Sequence, residues 1–256
     1  MIISYEHRFI FMHCRKTAGS SCSAYLNQFL GPKDLQIGAW DESKEAGGGY
    51  NDRFYADMKS KEGRKKMLAI RLKALSHFRL LNKHVLFERT QKAIYSRVFS
   101  GSPAHPSAAA VANFAAREWA EFFKFCFVRN PYEQAVSDYK WRTRSRPGIS
   151  FAEFLERMGD PSRADPEGVV PQSKSNWEIY TVDGKIAVDF VGRMERLEEG
   201  MASVCERLGL PFNAERFPRA KRSAIQKDYR GYYSEYEKSM VADLFEKEIK
   251  TFGYEF

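Results

Sequence analysis

The sequence predicts an α/β fold built on a mostly parallel sheet. Three apolar runs, at residues 9–12, 122–128 and 186–191, each precede polar residues and a helical pattern, and strands alternating with helices assemble into such a sheet. At 256 residues the chain reads as one domain covering 1–256, long enough to bury a core without disulfides or metals. A hydrophobic share of 43% with 14% aromatic residues excludes a disordered chain.

The elements follow in order. After the run Phe9 to Met12, SSCSAYLNQFL reads as a helix closed near Gly31 and Pro32. AGGGYN, at residues 46–51, reads as a flexible loop. A basic helical insertion is expected at about 41–104, with Leu68, Leu72, Leu75 and Phe78 or Arg79 repeating at helical spacing under a cationic outer face. Between 144 and 176, four prolines and several charges surround a short helix at Phe151 to Met158, a mobile surface loop of the kind that meets substrates. Leu197, Met201, Val204, Cys205 and Leu208 define a helix ended by Gly209. Met240, Val241, Leu244, Phe245, Ile249 and Phe252 define a last one, ended by Gly253. No internal repeat interrupts this order.

Cys14, Cys22, Cys126 and Cys205 are scattered, lack C-x-x-C spacing and mostly lie in apolar runs, so reduced core thiols are expected rather than disulfides or a zinc site. No segment has the order of a signal peptide or the length of a membrane span, and the chain is expected to be cytoplasmic. Its formal charge of +8 is concentrated. Residues 59–92 hold eleven Lys or Arg against two Glu, which leaves the rest of the chain near neutrality. Such a run forms a solvated helix face or a patch for an anionic partner.

The first apolar run delivers its chain into RKTAGSS. A strand ending in a Gly-containing turn that opens a helix offers free N–H groups and the positive end of a helix dipole to an anion. Here Lys16 adds a point charge, Thr17, Ser20 and Ser21 add hydroxyls, and Ser20 or Ser21 is expected to cap the helix. The lysine precedes the glycine and no earlier glycine exists, so the ATPase loop G-x-x-x-x-G-K-[ST] is excluded on spacing. The second run ends at Arg129 in FVRNPYEQAVSDY. Asn130 is suited to the N-cap, Pro131 to the first helical position and Glu133 to a capping box. Arg129 stands where a magnesium ligand would be acidic, and Ser137, two turns into the helix, can donate to the same anion.

HCRKTAGSS resembles the phosphosulfate-binding motif of sulfotransferases, and FVRNPYEQAVSDY resembles their second motif, which holds the nucleotide's other phosphate. DFVGRMERLEEGMASVCERLGL and YRGYYSEYEKSMVADLFEKEIKTFGYEF are similar to later portions of the carbohydrate-type sulfotransferases, the family 2-like group. The likeness covers about two thirds of the chain and leaves residues 41–100 unmatched.

This resemblance implies a P-loop-like three-layer fold, the central sheet flanked by helices, and transfer of a sulfuryl group from PAPS (3′-phosphoadenosine 5′-phosphosulfate) to a hydroxyl or amine, with no metal. It implies that Arg15, Lys16, Thr17, Ala18, Gly19, Ser20 and Ser21 cradle the 5′-phosphosulfate and that Arg129 and Ser137 hold the 3′-phosphate. Lys16 would stabilise charge growing on the bridging oxygen. The family's histidine upstream of the second motif nominates His105 as general base. His13 is expected to pack, His77 and His84 lie in the unmatched segment, and Glu178 and Glu195 are secondary candidates. Arg193 and the pair Lys221-Arg222 would approach the nucleotide. The turn departs from the family in carrying Cys14-Arg15 where relatives often have an apolar residue and a proline, so Arg15 either adds a second cation or points to solvent.

The expected acceptor is a hydroxyl compound, a glycan and an acidic one by the charge of the basic segment, reached through that segment and the proline-rich loop. No nucleic-acid partner is expected. The alternatives are an ATP-dependent small-molecule kinase of related fold and a non-enzymatic polyanion-binding protein.

Overall fold

The structure, a computed structural model, describes residues 1–77, 80–146, 148–171, 173–218 and 229–256. The chain divides into two compact units, Met1–Phe127 with Glu178–Ala220, and Val128–Trp177 with Lys221–Phe256.

In the first unit, β1 (Ile2–Ser4) and β2 (Phe9–Met12) pair antiparallel, Ile2 opposite Phe11. Their link is only Tyr5 to Arg8, which a parallel pairing cannot use. After α1 (Gly19–Asn27), β3 (Leu35–Gln36) pairs antiparallel with the free edge of β1. Six helices then intervene: α2 (Trp40–Glu45), α3 (Asp52–Lys59), α4 (Lys61–Leu75), α5 (Lys83–Tyr95), α6 (Ala108–Phe114) and α7 (Ala116–Glu121). They bring the chain back to β4 (Phe123–Val128), parallel to β2 with Met12 opposite Cys126. The second unit opens with α8 (Pro131–Thr143) and α9 (Phe151–Gly159). The chain returns through α10 (Trp177–Tyr180), β5 (Thr181–Val182), β6 (Lys185–Ile186), β7 (Phe190–Arg193) and α11 (Leu197–Leu208), and ends in α12 (Glu235–Leu244) and α13 (Glu246–Phe252).

The five-stranded sheet runs β3-β1-β2-β4-β7 with helices around it, so the α/β class is observed. Its strands are more mixed than a mostly parallel sheet. The expectation took the crossover from β2 to β4 as the rule and overlooked the short hairpin that puts β1 antiparallel on both its sides. Phe9, Phe11, Phe125 and Phe127 fill the core with Cys22, Leu26, Met201 and Val204. Burying one such phenylalanine contributes about 1.5–3 kcal/mol. All four cysteines are buried and none is in a disulfide.

The predicted strand at 186–191 is split. Asp183 and Gly184 both take positive φ, 50° and 74°, and turn β5 into β6 as a two-residue hairpin, so Ile186 is exposed and the sheet strand starts at Phe190. Asp-Gly is among the strongest short hairpin signals. AGGGYN is held down by the Asn27 carboxamide, which donates to the Gly49 carbonyl and accepts its N–H. The basic segment forms α3, α4 and α5, each capped by a polar side chain, Asn51, Ser60 and Asn82. Its leucines face outward rather than into the core: Leu68, Leu72 and Leu75 are 59%, 58% and 56% exposed.

In the second unit α8, α9 and α12 enclose a core of Val136, Phe154, Leu155, Met158, Val241 and Phe245. The expected last helix is two, because Phe245 leaves helical geometry (φ −118°, ψ 24°) with its ring buried. The proline-rich stretch is fastened by Arg157, which donates to Glu153 at 2.5 Å, Glu167 at 2.6 Å and Asp165 at 3.4 Å. Among the described residues no helix is long and apolar enough to cross a membrane.

Candidate active site

Parallel register puts the ends of β2 and β4 on one edge of the sheet, and the first cationic turn leaves from there. In that turn Lys16 (φ 61°) and Ala18 (φ 59°) are left-handed although neither is glycine. Each costs on the order of 1–3 kcal/mol, a strain that collects at ligand sites. Left-handed residues set within such a turn aim successive N–H groups at one point and form an anion-binding nest. The helix behind adds to it. Ala18 is the N-cap of α1 and makes no side-chain cap, so neither Ser20 nor Ser21 caps the helix as expected; both follow the cap, inside or after the first helical residue. Thr17 Oγ1 donates to the Cys14 carbonyl at 3.1 Å, which closes the turn and leaves Thr17 its backbone N–H for a ligand. Arg15 is only 9% exposed and does not point to bulk solvent.

Behind the turn lie two histidines. His13 is 7% exposed, and a Cβ on Gly19 would come within 2.0 Å of its Cδ2, so only glycine fits under the ring. His13 Nδ1 is buried without a hydrogen-bond partner, and burial, followed by the neighbouring His105, holds the imidazole well below its usual pKa. His105 meets it edge-on, ring centroids 4.5 Å apart, and its Nδ1 lies 2.7 Å from the His13 carbonyl oxygen. A carbonyl can only accept, so Nδ1 carries the proton and Nε2 keeps its lone pair. Burial pushes the His105 pKa down to about 3, and the cationic Arg15 and Lys92 add to the effect. The ring is therefore neutral at pH 7.

In the second unit, Asn130 caps α8 by accepting the Tyr132 N–H, with Pro131 next, as predicted. Glu133 does not close a capping box. Its carboxylate takes the Arg129 guanidinium instead, Nη2 at 3.0 Å and Nε at 3.2 Å, an i,i+4 pair. Ser137, one turn further on the same face, is 9% exposed.

Of the other candidates, Arg193 ends β7 on the surface, and Glu178 and Glu195 are exposed. His77 and His84 are exposed on the insertion, His77 against the Lys73 carbonyl and His84 against Lys44. Lys221-Arg222 lies outside the described residues. The sequence reading missed two features. One is the His13 carbonyl as a partner for His105, which no local signal reveals. The other is the clamp of Glu133 on Arg129, which the i,i+4 spacing could have revealed. Among the described residues no cluster of three His, Cys, Asp or Glu could hold a metal.

A strained cationic turn at a strand end, with a neutral histidine behind it, forms the candidate site. The chain belongs to the sulfotransferase family, whose model, described as "Sulfotransferase family", matches residues 1–255. A protein of Archaeoglobus fulgidus, described as an uncharacterized protein, is 33% identical over 103 residues, covering 35% of this chain and 70% of that relative. No solved structure matches the chain.

Proposed function

We propose that this sulfotransferase uses PAPS and transfers its sulfuryl group in line to a hydroxyl, on a P-loop-like three-layer fold. When bound, PAPS supplies the sulfuryl group and adenosine 3′,5′-bisphosphate leaves. The residues present fit such a donor: the nest at Lys16 and Ala18, the uncapped start of α1 and the buried Arg15 all favour an anion. In this reading residues 15–21 hold the 5′-phosphosulfate, with Gly19 leaving room for His13 and Lys16 countering charge on the bridging oxygen. Arg129, oriented by Glu133, is assigned the 3′-phosphate with Ser137, and Arg193 the nucleotide more loosely, on the likeness of their motifs.

His105 is assigned the general base. Its Nε2 takes the acceptor proton while the His13 carbonyl holds the ring through Nδ1–H. A pKa near 3 makes a weak base, but negative charge brought to the same corner offsets the Arg15 cation and lifts it. A carbohydrate as acceptor rests on the resemblance of the later segments to carbohydrate-type enzymes.

The observation that carries the reading is the hydrogen bond joining His105 to the residue just before the nest. Titration calorimetry with adenosine 3′,5′-bisphosphate tests it: micromolar binding by the wild type, weakened in Lys16→Ala and Arg129→Ala, is expected. Equal binding by all three proteins would remove the donor assignment.

A further inference from the structure

The helical hairpin of α4 and α5 is apolar on two sides, and folding explains only one. Its inner side is settled. Met67, Phe87 and Ile94 pack against Trp40, Phe54 and Met58, and Gly63 sits so close to α3 that a Cβ would come within 2.1 Å of the Asp57 carbonyl oxygen. Leu68, Leu72 and Leu75, at i, i+4 and i+7, lie on the opposite side of α4. Leu80, between the helices, is 91% exposed. An aliphatic stripe of this length in water marks an interaction surface.

Charge identifies its occupant. Arg64 and Arg71 flank the stripe on one side and Lys65 on the other, all exposed. The carboxylates of the hairpin are withheld from this face. Glu62 is half-buried and turned to Lys66 and Arg97, each at 3.7 Å, and Glu88 is half-buried beside Lys92 at 3.7 Å. A saccharide offers hydroxyls and no aliphatic phase in which leucines could bury. An anionic bilayer offers both an apolar boundary and a negative surface, and helices lying in that interface carry leucines between cations. The helix is too polar to span.

We infer that the outer face of α4, with Leu80, is a membrane-docking surface that lays its leucines into the headgroup boundary of an anionic bilayer while Arg64, Lys65 and Arg71 pair with lipid phosphates. This does not depend on the donor or acceptor proposed above, and its test does not read activity.

Cosedimentation of the full chain with vesicles of phosphatidylcholine, alone or mixed with phosphatidylglycerol, is the experiment. Binding to the mixed vesicles and little to phosphatidylcholine alone is expected. Replacing Leu68, Leu72 and Leu75 together by serine should lower partitioning by about tenfold or more at a melting temperature only slightly below the wild type's, since more than half of each side chain is already in water. Arg64→Gln with Arg71→Gln should lower it by about twenty-five-fold, from roughly fivefold per cation near an anionic surface. Three outcomes overturn the inference: no binding to mixed vesicles while heparin or an acidic peptide binds; vesicle binding unaffected by the serine substitutions; or a dimer in solution that those substitutions dissolve.

Discussion

The imidazole of His105 donates from Nδ1 to the carbonyl oxygen of His13 across 2.7 Å, although the two residues are 92 positions apart. One backbone group thereby fixes both the tautomer and the place of a histidine that stands beside the strained turn.

If His105 is the base, His105→Ala should bind adenosine 3′,5′-bisphosphate as the wild type does and lose about 10²–10⁴-fold in turnover. Calorimetry and a sulfuryl-transfer assay on the same preparation separate the two effects. Full activity in the variant would move the base elsewhere.

The same imidazole makes stability depend on pH. Its folded pKa of about 3 lies below its ordinary 6.5, so the unfolded chain takes up a proton first and stability falls as pH drops from about 6.5 towards 3. The loss reaches on the order of 3 kcal/mol near pH 4, and His13 shifts in the same direction. Denaturation midpoints measured between pH 7 and 4 should fall less steeply in His105→Gln; parallel lines for the two proteins would contradict this.

Gly19→Ala places a methyl carbon where the His13 ring lies. Overpacking of this kind costs about 1–3 kcal/mol. Displacing His13 also moves the carbonyl that holds His105, so turnover should fall further than bisphosphate affinity. A variant with wild-type melting temperature and rate would mean that the ring moves aside freely.

Arg129→Ala should weaken bisphosphate binding by about 1.5–3 kcal/mol, the range for hydrogen bonds to charged groups. Glu133→Gln keeps the cation and loosens its clamp, so a smaller loss is expected, read by the same calorimetry. A larger loss in Glu133→Gln than in Arg129→Ala would assign the ligand contact wrongly.

Much of this was legible in the chain because the signals are local. The strand ending at Met12, the one ending at Val128, the Asn130-Pro131 helix start and the glycine stops at 209 and 253 each depend on neighbours within a few residues. The leucines of α4 were misjudged for a physical reason: helical spacing shows that Leu68, Leu72 and Leu75 share a face, but Met67, Ile70 and Ala74 share the opposite one equally well, and only packing chooses. The Asp183-Gly184 hairpin was legible and overlooked beside the apolar run it interrupts. The meeting of His105 with His13 was not legible, since seven helices separate β2 from β4 and the contact is to a backbone oxygen that every residue has.

Asn27 closes α1 and grips Gly49 by both edges of its peptide, and it also donates to the Gln36 side chain at 2.9 Å. The helical insertion is therefore grafted into the sheet unit rather than hung from it. Cutting it out at the glycines would leave the buried Asn27 carboxamide without the Gly49 N–H and carbonyl, so a minimal version of this enzyme needs new partners for both before the insertion can be trimmed.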